Sequence, residues 1–339
     1  MKLTRRNFLA ICIGALFIRA KERQQIMTIN GPIHSSKMGT TLIHEHFLVD
    51  FIGAEEISLE RWDRIEVVKK VIPYMLEAKK AGVETIFDCT PAFLGRDPVL
   101  LRLLAEESGV QIITNTGYYG ALDNKHLPIH ALSEPAEVLA LRWIREFRRG
   151  IDGTDVKPGF IKIGVDSADK LSDMHIKLVK AAALTHLQTG LTICSHTGPG
   201  KTAFEQLDIL QKAGVSPSAF VWVHAQGEKD ESYFESAASI GAWVSLDGIG
   251  WGDFDKYVDT LKSMKSSGHL NRVLISHDAG WYKPGEPDGD FTGYTNIFNE
   301  LIPRLKDNEF TQKDINQLLI NNPISAFGIK VKRGRKMMV

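Results

Sequence analysis

A chain of 339 residues, 43% of them hydrophobic and 24% charged, is long enough for one large core or two smaller ones. An α/β barrel commonly fills such a length as a single domain. Its 41 basic and 41 acidic residues cancel, so no basic bias invites nucleic acid, and no apolar run reaches the ~18 residues of a stable membrane anchor.

The first twenty residues read as an export signal. Thr4-Arg5-Arg6-Asn7-Phe8-Leu9 precedes a short apolar stretch, Ala10 to Ile18, with no acid before Glu22. That is the layout of a bacterial twin-arginine signal, with Ala20 ahead of the cleavage site, and it predicts export to the periplasm. Ile11 stands where a lipobox before Cys12 needs a small residue, so no lipid anchor is expected. Removing residues 1–20 takes away Lys2, Arg5, Arg6 and Arg19 and no acid, for a net charge of −4. Residues 21–330 are expected to form the folded domain. Residues 331–339, with Lys332, Arg333, Arg335 and Lys336, are expected to form a solvated basic tail.

A short hairpin is predicted over Met27–Met38. Apolar strand patterns then alternate with helical ones: strands Thr41–His46, Glu84–Cys89, Val110–Thr116, Gly159–Gly164, Leu191–His196, Ala219–His224, Ala242–Asp247 and Arg272–Asp278. The intervening helices cover Leu59–Ala81, Pro98–Ser108, Glu134–Arg149, Leu171–Thr189, Thr202–Ala213, Glu231–Ile240 and Phe254–Ser266, with Ala121–Ser133 read as loop. Eight apolar strands alternating with helices predict a parallel (β/α)8 TIM barrel. The competing doubly wound sheet lacks a glycine-rich turn after its first strand. Cys89 and Cys194 fall on strands three apart, too far for a disulfide, and are read as buried free thiols.

In a barrel the active site lies at the carboxyl ends of the strands. Here those ends carry His44 and His46 on strand one, Lys162 on four, His196 on five, His224 on six and Asp278 on eight. Residues two apart in a strand share a direction, so His44 and His46 can face one divalent ion. Each of the six taken alone is as easily a satisfied core residue; their convergence on one rim is what points to metal. Two neighbouring features are decoys. Gly198-Pro199-Gly200-Lys201-Thr202 opens a helix after a strand, but Ser195 stands where a phosphate loop needs glycine. Alternation turns His277 away from the interior that Asp278 faces.

The chain resembles the phosphotriesterase-related (phosphotriesterase-like lactonase) family of the amidohydrolase superfamily. The matching motifs are His44-Glu45-His46, Gly95-Arg96-Asp97, Thr116-Gly117-Tyr118-Tyr119, Gly159-Phe160-Ile161-Lys162, Ser195-His196-Thr197-Gly198, His224 and Ser276-His277-Asp278, and the likeness spans about Ile26 to Gly328. It implies two divalent metals, with zinc expected and manganese, cobalt or iron as alternatives. His44, His46 and Asp278 would hold the more buried ion and His196 and His224 the more exposed one. Lys162, carbamylated by carbon dioxide, would bridge them: an ammonium cannot ligate, whereas a carbamate offers two anionic oxygens. Asp278 would accept the proton of the attacking water. Tyr118, Tyr119, Trp281 and Lys283 are candidate substrate contacts.

The implied activity is hydrolysis of a small-molecule substrate, foremost a lactone, with side activity on phosphotriesters. The loop after strand eight, Ala279 to Asp290, begins aromatic and becomes strongly polar, and that polarity leans towards a small polar lactone or ester. A phosphotriesterase or another ester or amide hydrolase is the enzymatic alternative, and a non-catalytic metal-binding barrel the opposing class. A homodimer is the candidate assembly.

Overall fold

A computed structural model of the chain describes residues 24–167, 170–286 and 288–334; the twin-arginine segment lies outside them. The expected hairpin is β1 (Gln25–Thr28) against β2 (Gly31–His34), paired antiparallel. The later strands pair in parallel. They are β3 (Thr41–Leu48), β4 (Thr85–Asp88), β5 (Gln111–Ile113), β6 (Asn115–Thr116), β7 (Phe160–Gly164), β8 (Thr192–His196), β9 (Phe220–Val223), β10 (Trp243–Leu246), β11 (Val273–Ile275) and β12 (Gly280–Tyr282).

One predicted strand is split, and another ends early and is continued by a strand in the segment expected to be loop. The third bends at Thr114, so that β5 pairs with β4 and β6 with β7. The eighth breaks after Ile275, because Asp278 takes a left-handed conformation with φ 53°. What remains of it, β11, pairs with β10, and β12, just beyond its predicted end, pairs with β3. There the ring closes: the Asp278 N–H donates to the His44 carbonyl at 3.0 Å, and the His46 N–H to that of Ala279 at 2.8 Å. The result is the expected eight-staved parallel barrel.

Helices α1 (Arg64–Lys80), α2 (Pro98–Ser108), α3 (Ile129–Ser133), α4 (Ala136–Arg149), α5 (Asp173–Thr189), α6 (Gly200–Lys212), α7 (Ser232–Ser239) and α8 (Phe254–Ser266) fill the crossovers. Local sequence explains their ends. Asp97 accepts from the Val99 and Leu100 N–H groups, Pro98 occupies the first turn, and Gly109 stops α2 at φ 64°. The segment read as loop holds α3, which at five residues is too short for periodicity to reveal.

The lower barrel interior is apolar, built from Ile43, Phe87, Ile113, Phe160, Val221 and Leu274 among others. Phe87 meets Phe327 at 4.4 Å and Phe160 at 5.3 Å between ring centroids. Cys89 and Cys194 are both free and buried. The tail departs from expectation as far as residue 334. The Lys332 N–H donates to His186 Nε2 at 2.9 Å, and its ammonium to the Ala326 carbonyl at 2.6 Å and Thr192 Oγ1 at 3.1 Å. Burial there pushes the Lys332 amine down to about 8. The barrel floor presents oxygens that an ammonium can satisfy, so this part of the tail straps the base instead of trailing into solvent.

Candidate metal centre

Strand β3 bulges between Leu42 and Glu45, which lets Ile43 and His44 both avoid the outer layer. Beyond the bulge, alternation resumes: His46 turns inward and Glu45 outward. The Glu45 carboxylate is fully buried. Its Oε1 accepts from Ser276 Oγ at 2.8 Å, the His277 N–H at 3.0 Å and His277 Nδ1–H at 2.7 Å, and its Oε2 from the Ala279 N–H at 2.9 Å. One side chain between two site histidines thus fixes the stretch that carries Asp278. His277 is occupied there as expected, its Nε2 accepting from the Ile297 N–H at 3.0 Å.

Second partners set the ring tautomers. Thr90 Oγ1 donates its single proton to the Leu48 carbonyl at 3.0 Å, so at 2.7 Å it must accept from His46 Nδ1–H. Asp247 sits between two rings, accepting from His44 Nδ1–H at 3.1 Å and His224 Nδ1–H at 2.7 Å. All three histidines therefore keep an Nε2 lone pair. Asp278 Oδ1 lies 3.1 Å from His46 Nε2 and 3.6 Å from His44 Nε2. Ligand atoms of His44, His224 and Asp278 lie within 4.8 Å of one another. The rings of His196 and His224 are 4.4 Å apart.

Lys162 is 2% exposed, with Nζ 3.2 Å from His44 Nε2. No carboxylate among the described residues comes within ion-pair distance of it. The donor set, three imidazoles with their lone pairs freed, a fourth beside them and a carboxylate, fits divalent metal. A buried lysine with no anion of its own fits a group that becomes anionic by carbamylation.

Electrostatics follow burial. Desolvation, then the Lys162 ammonium, pushes the His44 imidazole down to about 4 against the pull of Asp247. Burial and the neighbouring His224 drive His196 well below the usual histidine range. Burial alone would raise Asp247 and Asp278. Histidines more than offset it, His224 and His44 for Asp247, and His44, His46 and His224 for Asp278, so both carboxyls titrate below their usual range.

Two cavities meet at the centre. A small one of about 50 Å³ is lined by His44, His46, Lys162, His196, His224 and Asp278 and capped by Tyr119 and Trp281. A larger one of about 730 Å³ shares Phe51, Asp278 and Trp281 with it and runs between α7 and α8. The Tyr119 hydroxyl is 3.3 Å from His196 Nε2, and the Trp281 ring 5.3 Å from that of His46. Lys283 lines the larger cavity only.

Tyr118 corrects the expectation. Its hydroxyl bonds His130 Nε2 at 2.9 Å in a third cavity of about 500 Å³, outside the centre. Gly117 between it and Thr116 has φ 121°, and a side chain there would collide with the Lys162 carbonyl; that turn sends consecutive tyrosines to opposite sides. Of the polar residues in the loop after the eighth stave, Glu286, Asp288 and Asp290 line neither central cavity, whereas Lys283 lines the larger one. Gly95-Arg96-Asp97 is architectural: Arg96 forms a forked pair with Glu146 at 2.7 and 3.0 Å, and Asp97 caps α2. The phosphate-loop decoy is occupied by protein, the Gly200 N–H donating to Glu228 Oε2 at 2.7 Å. Sequence reasoning set Asp247 at the end of a predicted strand but missed its bridge between His44 and His224.

A closed barrel with histidines, a lysine and an aspartate on its carboxyl rim is the frame of a metal-using hydrolase. The chain belongs to the phosphotriesterase family: the model described as "Phosphotriesterase family" matches residues 24–327. A phosphotriesterase homology protein from Escherichia coli (strain K12) is 30% identical over 85% of this chain and 98% of its own length. An aryldialkylphosphatase from Saccharolobus solfataricus is 29% identical, over 87% of this chain and 96% of that protein. An N-acetyltaurine hydrolase from Xenopus tropicalis is 26% identical, over 88% and 96%. The chain is accordingly a hydrolase of a family that is typically dependent on two metal ions.

Proposed function

We propose that this protein is a binuclear metal-dependent hydrolase of carboxylic esters, lactones first among them, with side activity on phosphotriesters. The observation that carries this reading is the convergence of His44, His46 and His224 Nε2 with Asp278 around a lysine that has no carboxylate partner. His44, His46 and Asp278 would hold one ion and His196 and His224 the other, with carbamylated Lys162 between them. Zinc is the expected metal. Two such ions would supply Lewis acidity, polarising the substrate oxygen and lowering the pKa of water.

The chain's own groups do the rest. Asp278, held ionised by three histidines, takes the proton of the attacking water and delivers it to the departing oxygen. Burial pushes the Tyr119 phenol above its ordinary range, so it stays neutral and can donate to the substrate beside His196. Phe51 and Trp281, at the junction of the two cavities, exclude water from the reacting group.

A second reading, amide hydrolysis, is favoured by the relatives that carry the name N-acetyltaurine hydrolase. Metal analysis of the purified protein, with a panel of lactones, esters, amides and phosphotriesters, tests both. About two ions per chain and turnover of lactones or esters are expected. Two bound ions without turnover of any class would leave a binding barrel instead.

We also propose export through the twin-arginine route. The site draws ligands from five staves and so forms only once the barrel has closed, and metals would be loaded before transport. Arg5→Lys with Arg6→Lys should retain the protein in the cytoplasm; unchanged periplasmic recovery would exclude this route.

A further inference from the structure

The two cavities at the centre are unequal, and Asp278 stands at their junction. The small one has room for a few water-sized groups, part of it needed by the ions and by the attacking water. Its lining also includes Val49, Cys89, Pro91 and Leu94. The large one is walled by Phe234, Leu246, Trp251, Tyr257 and Trp281, apolar surface that gains free energy when a ligand covers it. Lys256 and Lys283 also line it, and of its carboxylates three are already engaged. Glu228 accepts from backbone N–H groups, Glu231 from Thr260 Oγ1, and Asp253 caps α8.

We propose that the enzyme is selective by side: the acyl part of its substrate is small, and the leaving group is bulky and apolar, seated in the groove between α7 and α8. This rests on the hydrolase reading above and on its assignment of proton delivery to Asp278. In the reaction the carbonyl carbon gains a bond to water oxygen and loses its bond to the leaving oxygen. One water proton passes to Asp278 and then to that oxygen, giving an alcohol and a carboxylic acid, which releases the second proton to solvent and leaves as the carboxylate. A leaving oxygen within reach of Asp278 has space for a large substituent only on the side of the large cavity. For a lactone, the substituent belongs on the ring carbon that bears the oxygen, and the carbon next to the carbonyl must stay bare. A phosphotriester retains two ester groups on phosphorus after cleavage, so diethyl aryl phosphates are poor substrates by the same steric argument.

Two pairs of isomers test this on metal-loaded enzyme. 2-Naphthylmethyl acetate and methyl 2-naphthylacetate differ only in which side is large, as do γ-phenyl- and α-phenyl-γ-butyrolactone. The first of each pair is expected to have the higher kcat/KM by at least ~10-fold, the scale on which a pocket resolves apolar groups. Equal rates, or a faster second isomer, would overturn the inference. Turnover of neither isomer of either pair would instead count against ester hydrolysis itself.

Gly252→Phe supplies an independent arm. Gly252 lines the groove, and a Cβ there meets nothing nearer than Tyr257 Cε2 at 4.0 Å. The ring should fill the groove and lower the isomer ratio about tenfold. It should also weaken calorimetric binding of the alcohol product, 2-naphthalenemethanol, in metal-free and metal-loaded protein alike. Undiminished binding of the alcohol to the filled variant would place the large group elsewhere.

Discussion

Below Lys162 the barrel interior is a stack of aromatic and aliphatic side chains, with Phe87, Phe160 and Phe327 in mutual contact. Above it the same staves end in four histidines and two carboxyls, the buried Asp247 and the half-buried Asp278. The backbones differ as well. His224 and Asp278, both at the rim, adopt left-handed conformations with φ 60° and 53°, whereas Phe87 and Phe160 below do not. Left-handed φ in non-glycine residues costs free energy and persists only where surroundings enforce it. At Asp278 the enforcement is visible in the four hydrogen bonds that the Glu45 carboxylate accepts. Apolar packing at the base supplies stability, and the rim uses some of it to hold a strained, polar arrangement.

The sharpest way to break this division from above is Lys162→Ala. Activity should fall by at least ~10³-fold, the scale seen when a member of a cooperating catalytic unit is removed, and bound metal should be lost with it. Short carboxylic acids should restore part of the activity by supplying a surrogate bridge. Thermal stability of the metal-free protein should hold or rise, since a buried ammonium without a carboxylate partner is costly. Full activity in the variant would refute the bridging role.

Asp278→Asn is the next largest effect. Asparagine keeps the shape but cannot accept the proton, so kcat should fall by roughly 10²–10⁴. Metal affinity should fall less than in His44→Ala, because a neutral oxygen still reaches the site. The acidic limb of the pH–rate profile should change, without a midpoint that belongs to one group, since the carboxyl and the water titrate together. Wild-type kcat with an unchanged profile would mean that the proton leaves by another route.

The same vertical division explains what could be read from the sequence. Parallel strands buried on both faces appear as continuous apolar runs, and glycine or proline marks their ends, so the staves and the six rim residues were legible. Asp247 was not, because its meaning lies in a contact with His44 across 203 positions, and one aspartate among 41 acids carries no local mark. Tyr118 and Tyr119 could not be separated. The stave bends at Thr114 and turns again at Gly117, so simple alternation no longer tells which ring faces the centre. Lys332 looks like any other cation of a basic tail until the barrel floor offers it the Ala326 carbonyl.

From below, Phe87→Ala should break stability and spare chemistry. Removing a ring packed against two others in a fully buried position costs about 3–5 kcal/mol, read as a lowered urea midpoint. Protein that remains folded should keep its metal content and kcat. A loss of metal at unchanged stability would show the two layers to be coupled.

The smallest effect sits at the boundary between the layers. Asp88 follows Phe87 on β4, two residues before Thr90, the partner of His46. Burial pushes its carboxyl up to about 7, against hydrogen bonds to the Thr90 and Phe47 backbone. Its folded pKa therefore lies above its unfolded value of 3.8. The folded state binds more protons between these values, so the contribution of Asp88 to stability is fully present below about pH 4 and is lost as pH rises towards 7. Asp88→Asn removes that slope. The stability of the variant relative to wild type should rise by on the order of 2 kcal/mol between pH 5 and 7, at 1.36 kcal/mol per pKa unit. Taking the difference between the two proteins cancels every other titrating group, including His186 and Lys332 at the base. Urea midpoints at pH 4, 5, 6 and 7 give the curve. A flat difference would mean that water or a rearranged Thr114 hydroxyl, 3.5 Å away, already solvates the Asp88 carboxylate, and that the polar layer extends one residue further down than its side chains indicate.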